Sequence, residues 1–167
     1  MGSENITFTN CYAWGGKARC FGICGEVCRE IKNVTFRDCA VIYRDATWNN
    51  DRIASLAIVV EITDATSLIS DITFENIEIY RDEGRAIACV VYEEDGTQIP
   101  VENCTIKNIV YKDITYTSQL PNKIASNGRS GNSISVSFEN LKYNNTEINR
   151  LNSIFFETDE TATIIFK

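Results

Sequence analysis

One short pattern returns through this chain from one end to the other, and it limits the possible folds more than any other feature. Its copies run from Glu4 to Cys11, Lys32 to Cys39, Ser70 to Ile77, Lys107 to Ile114 and Ser135 to Leu141. Aligned, they stack Ile6, Val34, Ile72, Ile109 and Val136 in one column and Phe8, Phe36, Phe74, Tyr111 and Phe138 in a second. Asn10, Asp38, Asn76, Asp113 and Asn140 form a third. The steps along the first column are 28, 38, 37 and 27 residues. Self-similarity at such a period marks a solenoid. Apolar and polar residues alternate within each copy, sending one set of side chains inward and the other out, so each copy is a strand. The recurring Asn or Asp fits a bend whose side chain bonds nearby backbone groups. With no helical pattern between copies, the expectation is an all-β right-handed parallel β-helix of about five coils, forming one domain over residues 1–167.

Composition bounds the partners. Hydrophobic residues make up 44% of the 167, enough for a packed core. A net charge of −7 makes nucleic acid and anionic membrane poor partners. It also disfavours a polyanion such as pectate unless a local basic patch or bound metal intervenes. No apolar run approaches the roughly 18 residues of a membrane span. Met1-Gly2-Ser3 reads as a start added in cloning, and no secretory leader follows it.

In chain order, each coil offers further strands. In the first, Cys11 to Trp14 points Cys11 and Ala13 inward and Tyr12 and Trp14 out, and Gly15-Gly16 turns the chain into a third strand near Arg19 to Cys24. The equivalents are Cys39 to Ile42 and Ser55 to Glu61, then Ile77 to Tyr80 and Ala86 to Tyr92. Between the second pair lies an amide-rich excursion, residues 43–52, expected to project from the body. Gln119 to Asn132 reads as a turn-rich surface loop, and Thr163 to Phe166 as a closing cap.

Seven cysteines raise the question of metal. Cys20, Cys24 and Cys28 have four-residue spacing, but without a paired C-x-x-C or any histidine a zinc site is not expected, nor any other cofactor. Glu26, Asp51 and Glu61 leave a calcium site open. Cys11 and Cys39 are read as inward thiols stacked as small apolar residues. Asn5, Asn33, Asn103 and Asn144 begin glycosylation sequons that strand-opening composition alone produces. Arg81-Asp82-Glu83 and Glu93-Glu94-Asp95 read as solvated turns.

The runs Cys11-Tyr12-Ala13-Trp14, Gly16 through Glu26 and Glu30 through Cys39 resemble the polygalacturonase-like glycoside hydrolases, with similarity over roughly residues 4–115. The resemblance implies a right-handed β-helix of a protein that handles pectic or related glycans. That family places Asn-Thr-Asp and Asp-Asp on coils before a Gly-His-Gly segment. The matching segment here is Ala18-Arg19-Cys20, the carboxylate coils would lie before Met1, and Ala57-Ile58-Val59 stands at the family's Arg-Ile-Lys. Inverting hydrolysis needs an acid and a base carboxylate, so the expectation is a chain without catalysis.

Three readings follow. The first is a non-catalytic carbohydrate-binding module, similar to the β-helical modules of xylanases, extracellular and tethered to the catalytic domain of a larger bacterial enzyme. It would bind xylan or another neutral glycan through Trp48, Trp14, Arg19, Tyr12, Tyr80, Tyr92, Asn49, Asn50, Asp51 and Arg52. Aromatic rings stack on sugar C–H faces while polar groups bond the hydroxyls. Gly22, Ala57 and Ala88 would form its low floor. The second reading is a fragment of a polygalacturonase-like or dextranase-like hydrolase. The third is a structural or adhesin solenoid.

Overall fold

A computed structural model of the protein describes residues 2–24, 29–45, 56–63, 67–91, 101–126 and 131–167. These form twelve strands and no helix: Ser3–Thr9 (β1), Tyr12–Gly16 (β2), Arg19–Ile23 (β3), Glu30–Arg44 (β4), Leu56–Ile62 (β5), Leu68–Val91 (β6), Thr105–Leu120 (β7), Asn122–Ala125 (β8), Ser133–Tyr143 (β9), Thr146–Ile148 (β10), Phe156–Thr158 (β11) and Ala162–Phe166 (β12). All pair in parallel except β10, which folds back on β9. The register matches the sequence columns, with Ile6 beside Val34, Val34 beside Ile72, Ile72 beside Ile109 and Ile109 beside Val136. Parallel strands joined by crossovers wind right-handed. The fold is a parallel β-helix.

Bends divide each coil among three faces. Asn10, Asp38, Asn76, Asp113 and Asn140 all adopt left-handed φ, between 52° and 56°, and turn the chain from the first face to the second. Asparagine and aspartate tolerate that region better than other residues with a Cβ. A second left-handed set, Asn5, Asn33, Asp71 and Asn108, kinks the first face five residues earlier in the same coil. Side chains bond along both columns: Asn76 Nδ2 donates to Asp38 Oδ1 at 2.7 Å, Asn140 Nδ2 to Asp113 Oδ1 at 2.7 Å, and Asn108 Nδ2 to Asp71 Oδ1 at 3.0 Å.

The interior is filled by the alternating residues. Phe8, Phe36, Phe74, Tyr111 and Phe138 stack with centroids 4.8 to 5.2 Å apart, close to the strand spacing, and Phe166 continues the column at 5.4 Å. Each fully buried aliphatic or phenylalanine contributes about 1.5–3 kcal/mol. Cys11 and Cys39 are free thiols lining this interior, Cys39 being buried. At the corner between second and third faces the interior turns polar. Arg44 and Asp82, both fully buried at the side chain, make a two-bond ion pair, with Arg44 Nε 2.8 Å from Asp82 Oδ2. Arg44 also donates to Ala18 O at 3.0 Å and Gly84 N–H donates to Asp82 at 2.6 Å. Removing one partner of such a pair leaves an uncompensated buried charge, at a cost of about 3–5 kcal/mol.

Three expectations are corrected here. Asp82 is not a solvated turn residue, because the coil folds it inward against Arg44. Gln119 to Asn132 is not wholly loop: β8 lies within it, held between β6 and β11. The closing run is a further parallel strand, with Ile164 beside Val136, 28 residues on, and so extends the columns rather than lying across them.

Candidate functional site

The third face is built from β3, β5, the end of β6, β8 and β11. Phe21, Ile58 and Ile87 point into the core, so their neighbours Gly22, Val59 and Ala88 form one outward row, continued by Lys123 and Glu157. A second row runs through Glu61 and Val90. Ala57 belongs to the main core, so the low floor expected from Gly22, Ala57 and Ala88 has Val59 in its middle. A Cβ on Gly22 would lie 2.1 Å from the Val59 carbonyl oxygen, a closeness that only glycine permits. Val59, Ala88 and Val90 are themselves buried in a small second apolar cluster, so this sheet is covered on both sides.

Charged groups border that cluster. Arg19 reaches the fully buried carboxylate of Glu61 at 2.5 Å, and Arg85 meets Glu157 at 3.0 Å while donating to Pro121 O at 2.6 Å. With Lys123, three cations lie along one sheet. Glu61 and Glu157 are separated by three strand steps, roughly 14 Å. An acid/base carboxylate pair for inverting hydrolysis spans about 6.5–9.5 Å, so these two do not form one.

The second face presents a different outward surface. Tyr12, Trp14 and Tyr80 are 75%, 77% and 58% exposed. Tyr12 and Trp14 are alternate residues of β2; Ala40 lies beside Tyr12, and Glu78 beside Ala40. Tyr80 O–H donates to Glu78, which holds the phenol above its ordinary pKa. One residue beyond Ile42, Tyr43 lies under the Arg81 guanidinium at 5.2 Å, and Arg81 bonds Glu83 at 2.9 Å.

Sequence reasoning thus left Tyr12, Trp14 and Tyr80 outside the solenoid, where they are found, on one face. Arg19 lies on another face and is engaged with Glu61. Trp48, Asn49, Asn50, Asp51, Arg52 and Tyr92 fall outside the described residues, as do Glu26 and Cys28. Among the described residues no cluster of acidic or thiol groups could hold a metal. The ion pairs of Arg19 and Arg85 were not anticipated; alternation places such residues outward, but their partners lie on other coils, which only register reveals.

The family model for glycosyl hydrolases family 28 matches residues 1–155. The chain belongs to that family. No curated protein and no solved structure matched it. Membership in family 28 overturns the expectation of a non-catalytic module: that expectation rested on carboxylate coils placed before Met1 and on Arg19 and Ala57-Ile58-Val59 standing at the family's His and Arg-Ile-Lys positions, whereas the match extends over residues 1–155 and is to a family of hydrolases.

Proposed function

We propose that this protein works as part of a polygalacturonase-like family 28 hydrolase on a pectin-type polysaccharide, with the charged border of the third face, beside its buried apolar row, as the edge that the substrate meets. The observation that carries this reading is positional. The two segments that stand at the positions of the family's Gly-His-Gly and Arg-Ile-Lys runs, near Arg19 and Ile58, lie on the paired strands β3 and β5. Arg19 and Arg85 are matched by Glu61 and Glu157, so Lys123 leaves this border one net positive charge to meet a galacturonate chain on a protein of net charge −7. In this proposal the acid and base carboxylates lie outside the described residues, and Arg19 and Arg85 are positioned by Glu61 and Glu157. The polymer it acts on lies in the plant cell wall, so the site of action is extracellular.

The test is release of reducing ends from polygalacturonate and from pectin by the polypeptide that the complete gene encodes. Release is expected, and Lys123→Glu should raise KM severalfold at low salt with less effect at high salt, because screening shortens the reach of the charge. Absence of release from every pectin-type polymer would reject the proposal.

A further inference from the structure

The second face carries an exposed aromatic surface that the third face does not need. We propose that Tyr12, Trp14 and Tyr80 form a docking strip for a neutral β-1,4-linked glycan, separate from the surface that handles the pectin-type polymer. Large aromatic side chains left this exposed on a flat sheet mark an interaction surface, since a ring buried in contact gains far more than one in water. Their arrangement follows the coils. Trp14 lies on the first coil, and Tyr80, one residue past the Val41–Ile79 pair, lies two coils further along the axis, about 10 Å at the strand spacing. Trp14 pairs with Tyr43 across a bulge, the half-buried Ile42 lies beside Tyr80, and Ala40 lies between Tyr12 and Glu78, so the rings flank a floor of Ala40 and Ile42. A glycan whose ring substituents are all equatorial offers flat C–H faces at successive residues, which suits rings set along a line.

Charge selects among glycans. Glu78 stands beside Tyr80, and Glu83 beside Tyr43 is matched by Arg81, so the excess charge at the strip is negative. Carboxylate oxygens accept from sugar hydroxyls but repel uronate groups. The same acidity argues against a second copy of the chain on this strip, since two Glu78 carboxylates would meet with no cation of the strip left for them.

The test uses the whole chain with Trp48→Phe, so that Trp14 is its sole tryptophan. Titration with xylohexaose and with cellohexaose should change Trp14 emission saturably, and oligogalacturonide should not. Tyr80→Ala in that background, followed by the same titration, and Trp14→Ala, followed by calorimetry, should each weaken binding about tenfold, the equivalent of ~1.4 kcal/mol, with the thermal midpoint unchanged. No saturable binding of either neutral oligosaccharide, or binding indifferent to both substitutions, overturns the proposal. So does sedimentation showing a dimer that Tyr80→Ala dissociates, which would assign the strip to a second copy. Hydrolysis of pectin-type polymers is measured independently, so either proposal can fail alone.

Discussion

Tyr111 stands in a column otherwise filled by phenylalanine, and its ring stacks between Phe74 and Phe138 as a phenylalanine would. Its hydroxyl is buried and finds no hydrogen-bond partner among the described residues. Burial also drives its pKa well above the ordinary tyrosine value. A buried, unsatisfied hydroxyl carries a desolvation penalty of about 1–3 kcal/mol. Tyr111→Phe is therefore expected to raise stability by about 1 kcal/mol, measured as a higher urea midpoint at unchanged slope. The sequon asparagines make a related point. Asn5, Asn33, Asn103 and Asn144 all hold left-handed φ, between 47° and 60°, so backbone geometry accounts for the residue type at each. The Asn-x-Thr pattern arises because the bend residue is followed by a strand in which threonine is favoured.

The bends and strands were legible in the sequence to different degrees. The first face could be read at once, because its inward positions are aliphatic and aromatic and its bends are marked by Asn or Asp in every copy. The third face was read in its early coils but lost at β8. There the strand opens with Asn122, whose buried side chain accepts from Ile87 N–H at 3.0 Å and donates to Tyr116 Oη at 2.9 Å. An asparagine used as an interior cap cannot be told from a loop residue by composition. Asn132 does the same work, accepting from Cys104 N–H and donating to Val101 O, both at 2.9 Å. The candidate site was legible only where a lone strand decided it, as for Tyr12 and Trp14; the ion pairs depend on neighbours many residues away.

The ladders also give the fold a pH dependence. The Asn108 side-chain amide, and secondarily Ser70, hold the Asp71 carboxyl below its ordinary pKa. A lowered folded pKa means that the ionised form stabilises the fold above the ordinary aspartate range, near 4, and that this contribution is lost as pH falls through the lower folded value. The effect is small because the group is exposed. Asp71→Asn, whose amide oxygen can still accept from Asn108, should leave the melting temperature at pH 7 nearly unchanged and reduce its decline in acid. An equal decline in both proteins would remove Asp71 from the account.

At the scale of the whole molecule, stability is unevenly distributed along the axis. β1, β2 and β3 each pair on one side among the described residues, and Ile6 and Phe8 are 38% and 43% exposed, whereas their counterparts Ile72 and Phe74 are fully buried. Strands with one neighbour and half a core open at lower free energy than those enclosed between two. Amide hydrogen exchange should accordingly be faster in β1 to β3 than at matching positions of β6 and β7 by at least an order of magnitude; uniform protection along the axis would contradict the gradient. The register has a separate consequence for the corners of the solenoid. Gly16 and Arg19 pair with Arg44 and Leu56, so a link of three positions in one coil answers to one of twelve in the next, while the strands on either side stay aligned. Ile62 and Leu68 likewise answer to Val91 and Thr105, at a different corner. Links of unequal length thus sit at two separate vertices while the hydrophobic lattice stays in register, so corner sequences can vary, and with them what the surface recognises, at no expense to the interior.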